Sequence, residues 1–212
     1  MWRKLRPLRH DLTHATYSAK YLTAVKEIVA AIEPASIDRI VDLLCTLRDG
    51  GGRVFFLGVG GGASTASHAV NDLRKIAAIE SYSPSDNIAE LTARINDDGW
   101  TTAYANWLRG SHLNEKDMVF VFSVGGGDAE KNISTNIVDS LQLAKEVGAK
   151  IVGIVGPAGG STAALADAAI RIPQHAPEMV TALTESFQVV IWHAIVSHPD
   201  LRRNETKWES TR

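Results

Sequence analysis

Val54-Phe55-Phe56-Leu57 runs straight into Gly58-Val59-Gly60-Gly61-Gly62, and those glycines run into Ala63-Ser64-Thr65-Ala66, the start of a helix-forming stretch. An unbroken apolar run bounded by glycines reads as a strand buried on both faces, which is the situation of a parallel sheet covered by helices on each side. The pattern recurs. Residues 118–124 form a second apolar run, closed by Gly125-Gly126-Gly127-Asp128. Residues 150–156 form a third, closed by Pro157-Ala158-Gly159-Gly160, and residues 168–173 a shorter fourth. Strands that alternate with helices imply right-handed crossovers. The prediction is an α/β fold: a three-layer αβα sandwich with a parallel sheet of about five strands, preceded by N-terminal helices.

The helices follow from apolar spacing. Residues 11–33 repeat Tyr17, Tyr21, Leu22, Val25, Ile28, Val29 and Ile32 at helical intervals, with Asp11 or Thr13 as cap and Pro34 as stop. Residues 35–48 continue with Ile37, Ile40, Val41, Leu44 and Leu47 until Gly50-Gly51-Gly52. Residues 81–87 read as loop, 88–95 as a short helix closed by Asn96-Asp97-Asp98-Gly99, and 100–113 as a helix carrying Tyr104, Trp107 and Leu108. Residues 129–148, 161–166 and 178–197 complete the set, and residues 200–212 read as a loosely held polar tail. The chain divides into an N-terminal helical segment at 1–36 that serves oligomerisation, a main domain at 37–198 and a polar tail at 199–212.

Composition narrows the function classes. The 212 residues are enough for one well-filled core. A formal net charge of -2 supplies no basic field for nucleic acid. The single cysteine, Cys45, excludes an intrachain disulfide and a cysteine-rich zinc module, and reads as a buried, inert thiol. The basic N-terminus lacks the apolar core of a signal peptide, and no stretch approaches the length of a membrane span. A cytoplasmic protein without membrane partners is expected.

In open parallel sheets, ligands sit beyond the carboxyl ends of the strands. The glycine exits at 58–62 and 125–127 should therefore line one crevice, where backbone amides and a helix N-terminus favour an anion. The dinucleotide fingerprint is not met: Ala63 stands where its third glycine belongs, and no acid closes the next strand. On the helix after the first exit, His68 and Asp72 lie four apart and share a face. They also read as a solvated pair or a capping cluster. His193 reads equally as a hydrogen-bonded core histidine, and Glu185 as a surface residue.

Across residues 37–197 the chain resembles the SIS (sugar isomerase) domain family, and within it the phosphoheptose isomerases. Gly58-x-Gly60-Gly61 followed by His68 and Asp72 looks like that group's glycine turn and its His-x-x-x-Glu helix. Asn96-Asp97 is similar to its Asn-Asp, Gly159-Gly160-x-x-Ala163 with Ala166-Asp167 resembles its Gly-Gly…Ala-Asp segment, and Glu185 and His193 fall where it has Gln and His. The resemblance implies an aldose–ketose isomerase acting on a seven-carbon sugar 7-phosphate in heptose biosynthesis. It implies one zinc held by His68, Asp72, Glu185 and His193, and a homotetramer with sites at subunit interfaces. Asp72 is the expected base and His193 the expected acid, with a metal polarising the carbonyl and hydroxyl. Expected substrate contacts are Gly60, Gly61, Gly62, Ser64, Asp97, Ser123, Gly125, Gly126, Gly127 and Lys131.

Two features set limits on that picture. Eight helical residues advance about 12 Å with about 80° of rotation, so Glu185 and His193 do not easily reach one ion from the same chain. The family's second loop, Ser-Thr-Ser-Gly-Asn-Ser, is here Ser123-Val124-Gly125-Gly126-Gly127-Asp128. Hydroxyl donors are lost and a carboxylate is gained where a phosphate is expected, with residues 129–132 as an insertion at the helix start. Two further readings therefore stand beside the first: an enzyme of the same family on a different sugar derivative, and a non-catalytic sugar-phosphate-binding or regulatory protein.

Overall fold

The apolar runs form the centre of a five-stranded, wholly parallel sheet in a computed structural model that describes residues 14–206. The strands are β1 (Val54–Gly58), β2 (Ser81–Tyr82), β3 (Met118–Ser123), β4 (Lys150–Val155) and β5 (Ala168–Arg171), in the order β2-β1-β3-β4-β5. Gly58 pairs with Phe122 and Ser123 with Val155, so the exits of β1, β3 and β4 lie side by side.

Alternation along the strands builds two cores. Phe56, Phe120, Phe122, Val152 and Ile154 face one layer of helices: α1 (His14–Ala31), α2 (Pro34–Asp49), α3 (Gly61–Asp72) and α8 (Val180–Val196). Phe55, Leu57, Val119, Val121 and Ile151 face the other: α4 (Ile88–Asp98), α5 (Trp100–Gly110) and α6 (Thr135–Val147), with α7 (Gly160–Leu165) beside β4. Each large apolar side chain buried this way is worth roughly 1.5–3 kcal/mol. The αβα sandwich is the architecture expected from the alternation of runs and helices.

Several local expectations are corrected. Residues 81–87 are not only loop: Ser81 and Tyr82 form edge strand β2 against Val54 and Phe55, and Pro84–Asp86 is a short 3-10 turn. The helix expected from residue 129 begins at Thr135. Asp128 caps its own chain instead, accepting from the amides of Glu130 and Lys131, and pairs with Ile133 in a small antiparallel bridge. The stretch after Pro199 is not loose where it is described. Leu201 is fully buried, the amides of Arg203 and Asn204 donate to the Ile76 carbonyl, and Arg48 donates to the carbonyls of Asp200 and Leu201. Pro177–Val196 is long and apolar enough to cross a membrane by length and composition, which no stretch was expected to be, and here half of it is buried within the fold. The Asp11 and Thr13 caps lie outside the described residues. Cys45 is half-buried, with desolvation pushing its thiol up.

Candidate functional site

Two glycines at the β1 exit are demanded by close approach to backbone inside the fold. A Cβ on Gly58 would lie 2.2 Å from the Gly62 carbonyl carbon, and one on Gly62 would lie 2.3 Å from the Phe122 carbonyl oxygen. A Cβ on Gly61 would lie 2.5 Å from the Glu185 carboxylate. Only Gly60, at φ 60°, faces open space. Tyr104 fixes the exit from the other layer by donating to the Gly58 carbonyl at 2.8 Å, and burial pushes its phenol up to about 12, so it remains a donor.

From this turn α3 runs along the sheet and carries His68 and Asp72 to meet α8. Helical spacing puts them on one face. His68 Nε2 lies 3.3 Å from Asp72 Oδ2, and His193 Nε2 of α8 lies 3.7 Å from the same oxygen. The imidazole rings stand edge to face with centroids 5.2 Å apart. Both histidines are half exposed while Asp72 is buried. The Trp192 indole N–H donates to Asp72 Oδ2 at 3.1 Å and the Asn71 amide to Oδ1 at 3.1 Å. Trp192 is itself clamped edge-on by Phe56, Phe120 and Phe122, the apolar residues of β1 and β3. The sheet core thus sets the carboxylate's position.

These three groups offer one ligand atom each, all within 4.8 Å of one another. Two atoms that bind one zinc at tetrahedral angles lie roughly 3.3 Å apart, and two imidazoles with a carboxylate are a common zinc donor set. The residues therefore fit a zinc ion with one position open to a substrate.

The remaining sequence-derived residues are placed as follows. Glu185 is outside this group, half-buried against Gly61 at the start of α3. Ser64 is exposed in the first turn of α3. Asp97 is exposed at the end of α4, in the opposite helix layer, and accepts from the Asn96 amide at 2.8 Å. Ser123 is buried and its Oγ accepts from the Gly126 amide. Gly126 and Gly127 are also buried, with carbonyls that accept from the amides of Thr162 and Ser161 and, for Gly126, from the Thr162 hydroxyl. Gly125 faces open space. Lys131 is spent on Asp128 at 2.8 Å, a pair that holds the exposed carboxylate below its usual range. Sequence reasoning passed over Trp192 as a site residue. Its signal was a tryptophan in an apolar helix, whose buried N–H has to find an acceptor.

Comparison with known proteins identifies the family and the fold. The family model described as SIS domain matches residues 17–156. The chain is 31% identical over 198 residues to the lincomycin biosynthesis protein LmbN of Streptomyces lincolnensis, covering 90% of this chain and 72% of that protein. It is 28% identical over 165 residues to the phosphoheptose isomerase of Syntrophotalea carbinolica, covering 73% and 80%. Among solved structures, a phosphoheptose isomerase from Francisella tularensis superposes with a TM-score of 0.74 at 21% identity, over 87% of this chain and 97% of that one, and thereby shares the fold.

Proposed function

Because the chain belongs to the SIS domain family, we propose that it is an aldose–ketose isomerase of a sugar phosphate, interconverting sedoheptulose 7-phosphate and an aldoheptose 7-phosphate. The observation that carries this reading is the convergence of His68, Asp72 and His193 where α3 and α8 meet over the face of the parallel sheet. Names of relatives such as the phosphoheptose isomerase of Syntrophotalea carbinolica support the reaction class.

Isomerisation moves a proton between adjacent carbons through an enediol, and so needs a base at carbon and an acid at oxygen. Asp72 is the base: its carboxylate is oriented by the Trp192 N–H and the Asn71 amide. His193, half exposed, is placed to give and take the proton at the oxygens. His68 faces the same carboxylate oxygen, Oδ2, at 3.3 Å. Zinc on His68, Asp72 and His193, when bound, would polarise the carbonyl and hydroxyl. The outer face of α1, with Leu22 and Val29 exposed, supports a homo-oligomer, a tetramer with sites at subunit interfaces, and the enzyme is proposed to be cytoplasmic.

One observation favours a second reading, an enzyme of this family on a different sugar derivative. The loop after β3 spends its carbonyls, Ser123 and Lys131 on internal bonds, and carries Asp128 where the phosphate is expected. The test is zinc analysis of the purified protein followed by an isomerisation assay on sedoheptulose 7-phosphate. Turnover that a chelator removes is expected. A zinc-loaded protein inert towards this sugar would favour the second reading, and a protein that takes up no zinc would count against both.

A further inference from the structure

His68, Asp72 and His193 come from two helices, and each helix takes its place from a backbone carbonyl of the sheet. On α3, Gly62 approaches the Phe122 carbonyl so closely that a Cβ would lie 2.3 Å from its oxygen. On α8, the Gln188 side chain donates from Nε2 to the Ile154 carbonyl at 3.1 Å. Phe122 and Ile154 are partners in the register of β3 and β4. Both helices are thus referenced to one rung of the sheet.

Gln188 is fully buried, and its Oε1 has no partner among the described residues. A buried amide with an unpaired acceptor is costly, so an apolar side chain would serve packing alone at least as well. The neighbouring core residues of α8 are apolar: Leu183, Phe187, Ile191 and Ile195. Apolar contacts are non-directional and leave a helix free to turn by small amounts. A hydrogen bond, with its limits on distance and angle, does not. Trp192, whose N–H meets Asp72, stands one turn beyond Gln188, and His193 follows it. Side-chain ends lie about 5–6 Å from a helix axis, so a turn of about 20° moves them by about 2 Å. That is far more than the spread of distances a metal site accepts.

We propose that Gln188 is a positioning residue of the candidate centre: its bond to Ile154 sets the rotation and height of α8, and thereby brings the Trp192 N–H and the His193 imidazole to Asp72. The role rests on the proposed reading of His68, Asp72 and His193 as a metal site, and adds to it the contact that keeps the two helices in phase.

The test compares the full-length wild type with Gln188→Met, which has a similar length and no donor. The readouts are the thermal melt, zinc affinity by titration, the absorption spectrum with cobalt(II) in place of zinc, and hydrogen exchange of the Trp192 indole N–H, assigned with Trp192→Phe. Gln188→Met should melt no lower than the wild type, because removal of the unpaired acceptor offsets the lost bond. It should nevertheless bind zinc about tenfold more weakly, shift the cobalt spectrum and exchange the indole proton faster. Gln188→Asn keeps the amide but falls a methylene short, and should share these defects. Leu141→Ala, buried in the core on the other face of the sheet, controls for stability alone: it should lower the melt and leave affinity and spectrum unchanged. Wild-type affinity and spectrum in Gln188→Met would overturn the proposal, as would losses that Leu141→Ala reproduces. If the wild type takes up no zinc, the metal reading fails by itself. The indole exchange still decides the role of Gln188 in that case, and a rate unchanged in Gln188→Met would overturn it.

Discussion

Trp192 donates its indole N–H to Asp72 Oδ2 across 3.1 Å, joining α8 to α3 at the one buried carboxylate among the candidate catalytic groups. Trp192→Phe keeps the packing on Phe56, Phe120 and Phe122 and removes only the donor. The expected cost is about 1–3 kcal/mol in denaturant unfolding, because a buried acceptor loses its partner. Zinc affinity should drop by about 10–100-fold, the usual effect of losing a group that orients a ligand. An affinity equal to the wild type would show that the indole does not orient the metal site.

His68 and His193 are about half exposed, at 46% and 52% of their side-chain area. Replacing either by Ala should therefore move unfolding free energy by less than about 0.5 kcal/mol. Each variant should nevertheless lose zinc and turnover, measured by metal analysis and the isomerisation assay. Full activity in His193→Ala would remove its role as the acid.

Gly61 and Gly62 are neighbours with opposite expected sensitivities. A methyl on Gly62 strikes the Phe122 carbonyl, which is locked in the sheet, and should cost about 1–3 kcal/mol or more. A methyl on Gly61 strikes only the end of the Glu185 side chain, which can turn aside. Thermal melts of Gly61→Ala and Gly62→Ala separate the two, and equal losses would contradict the geometry.

Asp167 ties β4 to β5 by accepting from the Ile151 amide and from Lys150, both at 2.9 Å. Burial pushes its carboxyl up, but these donors outweigh it and hold it below the ordinary value. A depressed folded-state pKa adds stability above the unfolded value of about 3.9 and loses it as pH falls through the folded one. Asp167→Asn should therefore be less stable than the wild type at neutral pH, by about 1 kcal/mol. The gap should close below about pH 4. A gap independent of pH would mean that the charge is not what stabilises this junction.

Leu22 and Val29 lie two helical turns apart on the outer face of α1, exposed and away from the core. Replacing both by Glu should lower the mass seen by light scattering from that of an oligomer to that of a single chain, without lowering the melt of the core. An unchanged oligomer mass would take α1 out of the interface.

The sheet was legible because β1, β3 and β4 are continuous apolar runs, a pattern with few alternatives at that length. β2 was not, since two residues, Ser81 and Tyr82, are too short a run to carry a periodicity. The late start of α6 was hidden for a related reason: the Asp128 side chain captures the amides that a helix would otherwise have used, and apolar spacing does not register such competition. For the site, helical spacing put His68 beside Asp72, and the family resemblance added His193. The same spacing showed that Glu185 and His193 diverge, but not that Glu185 ends against Gly61. That contact depends on how α8 crosses α3, which no local pattern encodes.

Directly after Asp72, α3 widens into a π turn at Leu73–Ala77 before Ala78 turns it out in a left-handed conformation. Such a turn accommodates one surplus residue. A single deletion there should relax into ordinary helix, with the register upstream undisturbed. The same deletion between His68 and Asp72 would swing the carboxylate about 100° around the axis, away from both imidazoles. The wide turn is therefore a tolerance joint: the chain on its far side can be lengthened or shortened by a residue while the groups on its near side stay in phase.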